Sequence, residues 1–314
     1  MRTPLLSPFR KTRPRSEPRI LAARLSDNLR GTLLMMLSMA AFTCNDAVMK
    51  AVTLSMPLYE SVALRGVVIL IVMLALAQTQ PGRVRLAVSR RDLPLLLLRS
   101  LADVISTLLY LVALRQMALA DLSAIMQALP LAVTLAAAVL FRERLGRRRL
   151  SAIGLGFLGV LLILRPGSGA FDEWSLIALA AMLLIVVRDM TTRCFSMALG
   201  SSTIAFYAAL SVALSGFAMA TGEVWRWPTP AECGLLLLSS LFLTVGYISA
   251  IATMRVGEIS FVAPFRYTSL LWAIVLGLVL FGEWPDAWTW AGSALVVGAG
   301  LYTILRERQL GKVT

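Results

Sequence analysis

The stretch from Ala113 to Glu143 comes back without a gap from Thr253 to Glu283. Arg115 falls on Arg255, Leu131 on Leu271, and Val139-Leu140-Phe141-x-Glu143 on Val279-Leu280-Phe281-x-Glu283. The two copies then diverge in charge. Arg142, Arg144, Arg147, Arg148 and Arg149 crowd the end of the first, whereas the second runs into Trp284-Pro285-Asp286 with no base. Across a membrane, basic connections stay on the cytoplasmic side, so the two ends face opposite sides. A repeat whose copies point opposite ways is a mark of transporters with the substrate site between their halves, near the midplane.

Composition requires the membrane that this argument assumes. Of 314 residues, 58% are hydrophobic and 15% charged, too few charges to cover a soluble surface of this size. There is no histidine, which removes imidazole bases, imidazole metal sites and haem ligation together. Cys44, Cys194 and Cys233 have no metal-like spacing and read as small packing residues. No cofactor and no metal is expected. The net charge of +13 points to lipid rather than nucleic acid, because the bases cluster before residue 31, at Arg83–Arg91, at Arg142–Arg149 and at Arg306–Lys312, always flanking apolar runs.

Residues 1–28 alternate prolines with bases and read as a disordered cytoplasmic tail. Ten apolar segments follow, at about 30–50, 57–77, 93–114, 118–141, 149–165, 174–199, 202–222, 231–254, 258–281 and 287–305, each near the length that spans ~30 Å of hydrocarbon. The expected fold is therefore all-α and polytopic, with ten transmembrane helices as two inverted five-helix repeats, 30–165 and 172–305, and a C-terminal tail at 306–314. Threading the basic clusters to one side puts both termini in the cytoplasm. Asp92 is placed to cap the third helix, Ser201-Ser202-Thr203 to open the seventh and Arg165-Pro166-Gly167 to stop the fifth. Pro130 and Pro264 predict kinks in the fourth and ninth. Gly154, Gly156 and Gly159 in the fifth, with Gly292, Gly298 and Gly300 in the tenth, mark close packing, within a monomer or across a homodimer. Trp225, Trp227, Trp284, Trp288 and Trp290 read as an aromatic belt.

Charges inside apolar segments are costly, which makes them informative. Arg99 and Asp103 in the third segment cost together about 5 to 7 kcal/mol on an insertion scale, so that helix face must turn inward. The same four-residue spacing recurs in Asp46-x-x-x-Lys50 and Asp189-x-x-x-Arg193, the first segment of each half, and predicts helix ion pairs there; Asn45 and Arg188 precede the two acids. Arg65 lies in the second segment, and Arg266 with Tyr267 just past Pro264, with no acid within four residues of Arg266. The candidate substrate or gate residues are Asn45, Asp46, Arg65, Arg99, Asp103, Gln127, Arg188, Asp189, Tyr247, Arg266 and Tyr267. Asp46, Asp103 and Asp189 are the candidates for proton coupling. The deep bases outnumber the deep acids, which tilts the substrate toward an anionic group without excluding zwitterions.

With its ten segments, five-plus-five repeat, Phe-x-Glu ends before Gly-rich segments and Leu164-Arg165-Pro166-Gly167 closure, the chain resembles the drug/metabolite transporter superfamily in its bacterial EamA-type branch over about 30–305. The resemblance implies alternating access around a cavity lined by helices one, three and four and their mates six, eight and nine. Two departures make the half-sites unequal: Trp284-Pro285 replaces the basic run, and Ser239, Ser240 and Leu243 stand where Arg99, Ser100 and Asp103 do. The sequence thus points to an inner-membrane transporter, not an enzyme, of a small organic metabolite (amino acid, nucleobase, vitamin or organic anion). Its partners are that small molecule and lipid, and its transport is either proton-coupled or plain exchange. A membrane enzyme acting on lipid-linked substrates is the other class considered.

Overall fold

A computed structural model describes residues 17–79, 88–142, 146–165, 173–196, 199–222, 224–256 and 259–309. All ten apolar segments are helical, and there is no strand among the described residues. The first three are α1 (Glu17–Ser55), α2 (Leu58–Thr79) and α3 (Leu93–Gln116). The fourth is broken into α4 (Leu119–Met126) and α5 (Leu129–Leu140). Then come α6 (Arg147–Leu164), α7 (Glu173–Arg193), α8 (Ser201–Ala220) and α9 (Pro230–Val256). The ninth segment is again broken, into α10 (Ile259–Val262), a 3₁₀ turn (Ala263–Tyr267) and α11 (Thr268–Phe281), and α12 (Ala287–Gln309) closes the chain. Eight of the segments are long and apolar enough to cross a membrane. The exposed residues along them, among them Leu33, Leu97, Leu101, Leu158, Leu183, Leu241, Ile251 and Val279, form an apolar outer surface that suits lipid rather than water.

The two prolines act as predicted and go further than a kink. Pro130 occupies the first turn of α5, where a missing N–H costs nothing, so the chain restarts a helix after the tight turn Gln127–Ala128. Pro264 opens the 3₁₀ turn. Although the prolines stand at different places in the repeat, the restarts at Leu129 and Thr268 fall within one residue of the same position. Arg142 (φ 55°) and Gly282 (φ 67°) also occupy one repeat position, both left-handed at a helix end.

The most extensive contacts are α1 with α9, α2 with α8, α3 with α7 and α6 with α12, and α4 meets α11. In segment order these are one with eight, two with seven, three with six, five with ten and four with nine. Exchanging every segment with the one five places on leaves that set unchanged. The core gathers around α4, where Leu119, Ala120, Leu122, Ala124 and Ile125 are all buried. Between helices in lipid the gain comes from tight packing rather than water exclusion, and the glycines permit it. A Cβ on Gly159 would lie 2.6 Å from the Gly292 carbonyl oxygen and one on Gly292 2.5 Å from that of Gly159. This pair packs within the chain; Gly154 and Gly298 face open space.

Several local expectations are corrected. α1 begins at Glu17, so helix reaches back into the stretch read as a disordered tail, and α12 runs on through Gln309. Residues 1–16, the Arg83 and Arg85 bases, Glu143, Arg144, Pro166-Gly167 and residues 310–314 lie outside the described residues. α6 does stop at Leu164, with Arg165 left-handed. α7 ends at Arg193 rather than near 199, and α8 is capped at Gly200 without a side-chain bond. Cys194 and Cys233 are exposed rather than packed. The tryptophans are exposed to varying degrees, with Trp225 and Trp227 before α9 and Trp284, Trp288 and Trp290 around the start of α12, all at the Lys50 end of the bundle.

Asp92 stands at the N-cap of α3, but its side chain makes no capping bond there. Its carboxylate accepts hydrogen bonds from Ser196 N–H (3.0 Å), Ser196 Oγ (2.6 Å) and Ser89 Oγ (2.8 Å), tying the start of α3 to the segment after α7. The hydroxyl and amide of Ser196, then Ser89, hold this carboxyl below its ordinary value. The tie is therefore intact above the unfolded value of about 3.9 and is lost as pH falls through the lower folded value. Asp92→Asn is expected to flatten the fall of the thermal unfolding midpoint below about pH 4. Parallel slopes for the two proteins over that range would refute the assignment.

Candidate functional site

Two clusters of polar side chains sit within the helix bundle, and their construction differs. In the first, α1 contributes Asn45 and Asp46, α2 Arg65 and α3 Tyr110. Asp46 accepts hydrogen bonds from Tyr110 Oη at 2.7 Å and Asn45 Nδ2 at 3.0 Å. Asn45 Oδ1 in turn accepts one from Arg65 Nη2 at 2.9 Å, and Arg65 Nε is buried with no hydrogen-bond partner among the described residues. Asn45 is buried and Asp46 half-buried. The acid and the base are one carboxamide apart and, among the described residues, touch only neutral groups.

In the second cluster the charges touch directly. Asp103 of α3 meets Arg188 of α7 at 3.1 Å and Arg99 at 3.7 Å, and Arg188 also meets Asp189 at 2.9 Å. Arg99 Nε donates to Thr192 Oγ1 at 3.0 Å, and that hydroxyl donates to the Arg188 carbonyl at 2.7 Å. Two bases and two acids thus form one neutral chain between helices of opposite halves.

Phe42 and Tyr247 flank these clusters, edge to face with ring centroids 5.3 Å apart. Phe42 lies one turn before Asp46 on the same face of α1. The two α1–α9 backbones come close there, since Ser38 Oγ donates to the Gly246 carbonyl at 2.8 Å and a Cβ on Gly246 would strike the Phe42 ring. Tyr247 is more than half exposed. A third group joins the broken segments: Gln127, at the end of α4, donates to Ser269 Oγ, and Thr43 Oγ1 reaches the Ser269 carbonyl at 3.4 Å.

Of the predicted site residues, Asn45, Asp46 and Arg65 come together, as do Arg99, Asp103, Arg188 and Asp189. The Arg99–Asp103 pair forms as expected, but the other two four-residue pairs do not. Asp46 turns to Tyr110, while Lys50 reaches past it to Glu283 and to the Met117 carbonyl at 2.6 Å. Asp189 pairs with its neighbour Arg188, and Arg193 is exposed with no ion partner among the described residues. Arg266 is exposed on the 3₁₀ turn, and Tyr267 is buried against Gly300 with its hydroxyl unpartnered among the described residues. Glu283, Thr192 and Ser269 went unrecognised. Glu283 had a signal, an acid held at the same place in the repeat as Glu143, but its partner came from another helix.

Lys50, Glu283 and Leu119 N–H, which donates to Glu283 at 2.9 Å, tie α1, α4 and α11 at one end of the bundle. Arg226, paired with Glu232 and with its Nη2 2.9 Å from Ser55 O, ties the start of α9 to the end of α1. No group of acids and cysteines suited to a metal occurs among the described residues.

Residues 29–165 match the EamA-like transporter family. The chain is 26% identical over 270 residues to the pseudopaline exporter of Pseudomonas aeruginosa, an alignment covering 86% of this chain and 94% of that protein. It is 27% identical over 180 residues to a riboflavin transporter of Rhizobium johnstonii, covering 57% of this chain and 59% of that one. Against an S-adenosylmethionine uptake transporter of Rickettsia prowazekii it is 24% identical over 185 residues, with 58% and 62% covered. A solved crystal structure aligns over 90% of this chain and 99% of its own at a TM-score of 0.63 and 20% identity, a likeness of fold.

Proposed function

We propose that this chain, a multi-pass membrane protein carrying an EamA-like transporter domain in its first half, is a secondary transporter of a small organic metabolite in a bacterial inner membrane. The carrying observation is the charge-separated cluster of Asn45, Asp46, Arg65 and Tyr110 inside the bundle, since such groups within a membrane are retained for function. Transport proceeds by alternating access, with residues 30–165 and 172–305 rocking as inverted repeats and both termini in the cytoplasm. The exchange symmetry of the helix pairing and the shared break position support that motion. The relatives are named for a pseudopaline exporter, riboflavin transporters and S-adenosylmethionine uptake; cargo so varied supports the transporter class and leaves cargo and direction to this chain's own site. Among the three candidate coupling carboxyls, Asp46 alone touches only neutral groups, so it can take up a proton without breaking an ion contact. The chain works as a monomer or homodimer surrounded by lipid.

Uptake into proteoliposomes tests this. Wild-type protein should move at least one member of a panel of radiolabelled amino acids, nucleobases, vitamins and organic acids. If coupling runs through Asp46, a pH gradient drives accumulation that Asp46→Asn abolishes and Asp103→Asn merely slows. Gradient-independent equilibration would assign plain exchange instead. No flux of any solute from folded protein would remove the transporter proposal.

A further inference from the structure

Resting on that transporter proposal, we infer that the two charge clusters have different tasks: Asp46, Asn45 and Arg65 seat the head of a zwitterion, whereas Arg99, Asp103, Arg188 and Asp189 tie the two halves. The distinction lies in how the charges are compensated. In the α3–α7 chain each acid touches an arginine and Thr192 takes the Arg99 Nε–H; Arg99 Nη1 makes no hydrogen bond among the described residues but stands in ion contact with Asp103 at 3.7 Å. A substrate charge entering there must first break an ion contact. In the α1–α2 cluster no ion contact exists among the described residues. Asp46 holds its charge on a phenol and an amide, Arg65 donates to that same amide, and its Nε is unused although buried.

An acid and a base held apart by one amide present a negative and a positive pole to whatever lies beside them. A lone anion satisfies Arg65 and is repelled by Asp46; a lone cation has the opposite difficulty. A molecule with ammonium and carboxylate on one carbon satisfies both, donating to Asp46 and accepting from Arg65, including its unused Nε–H. The Asn45 orientation agrees, since its oxygen must face the guanidinium and its nitrogen the carboxylate, so the dipole is fixed by its neighbours. One turn away on the same face, Phe42 with Tyr247 offers an aromatic wall to the rest of the molecule. The substrate class is thus an α-amino-acid-like zwitterion with an apolar or aromatic body.

Counterflow in proteoliposomes of the full chain, without any ion gradient so that coupling plays no part, reads this directly. The probes are the twenty proteinogenic amino acids and, for each one transported, its amide (cation only) and its des-amino acid (anion only), with riboflavin and uracil as uncharged solutes. At least one amino acid should be carried, with its amide and des-amino analogue at least about tenfold weaker as competitors, the worth of one charge-assisted contact. Asp46→Asn should bring the amino acid down to the level of its des-amino analogue, and Arg65→Gln to that of its amide, with Asp46→Glu and Arg65→Lys restoring part of the preference. Asp103→Asn should lower the thermal unfolding midpoint in detergent while the ratio among the three analogues stays as in wild type. Should the variants fail to fold, wild-type protection by amino acid over amide and des-amino acid in the same thermal assay decides. Flux of riboflavin, uracil or single-charge analogues with amino acids ignored would overturn the zwitterion seat and leave the transporter proposal standing. Analogue ratios unchanged by both Asp46 and Arg65 variants would overturn it too. No flux of any probe would overturn both.

Discussion

Glu283→Gln is expected to destabilise the chain by about 3 to 5 kcal/mol, the loss that follows when one member of a buried ion pair is removed and the other stays. The member that stays is Lys50, whose side chain is only 5% exposed against 24% for Glu283. Its ammonium meets Glu283, the Met117 carbonyl at 2.6 Å and the face of Phe281 at 5.0 Å. Among the described residues Glu283 is the acid in ion contact with it. The other oxygen of this carboxylate receives Leu119 N–H, one of the amides that the start of α4 leaves unpaired, so the substitution also weakens the anchoring of the central helix. Lys50→Met should cost less, because Glu283 retains Leu119 N–H and some solvent. The double variant Lys50→Met/Glu283→Gln should recover part of the loss, giving a coupling energy above about 1 kcal/mol in a double-mutant cycle. The readout is the unfolding midpoint in detergent followed by tryptophan fluorescence. A Glu283→Gln protein within about 0.5 kcal/mol of wild type would show that this contact is not holding the helices together.

Gly159→Leu should be nearly as damaging for a different reason. A Cβ at this position would lie 2.6 Å from the Gly292 carbonyl oxygen and 2.9 Å from Leu295 Cβ. The first is backbone, so no rotamer change relieves it; α6 and α12 must separate along their whole contact. Overpacking commonly costs about 1 to 3 kcal/mol, and a backbone obstacle puts this case at or above the upper end. Gly154→Leu is the internal control. No atom of the described residues lies within 4 Å of a Cβ there, and on the same helix it should stay within about 0.5 kcal/mol of wild type. Equal losses at both positions would mean that helix propensity or insertion, rather than the α6–α12 contact, governs the effect.

These cases mark where the sequence could be read and where it could not. Segment number and type were legible because a run of apolar residues about 20 long has one stable form in lipid. The breaks in the fourth and ninth segments were signalled by Pro130 and Pro264, although the turn at Gln127–Ala128 precedes its proline. Arg99–Asp103 was legible because its partners share a helix. Lys50 was not: four-residue spacing nominated Asp46, but a long side chain near a helix end reaches another helix, and sequence gives no measure of which one. Arg188 was recognised as a candidate, yet its place between Asp103 and Asp189 depends on how α3 lies against α7. The same limit separated Asp92 from its expected role, since a capping residue can be captured by a hydroxyl from another segment. Glycine spacing foretold close packing at Gly159 and Gly292 but could not distinguish them from Gly154 and Gly298, which face outward.

The pairing of helices across the two halves bears on how such a chain is made. Each helix from α1 to α3, and α6, has its most extensive contact with a helix of the other half, so a ribosome finishing the first five segments delivers them to the bilayer before those partners exist. Their inner faces, with Asp46, Arg65, Arg99 and Asp103, must wait in the membrane or at the insertion machinery until the second five arrive. The halves are not domains in the folding sense, because the most extensive contacts of α1, α2, α3 and α6 run between them rather than within them. Assembly is then a single late event between two unfinished sheaves. A chain cut between α6 and α7 would have to be synthesised as two pieces in the same cell, at the same time, for either piece to survive.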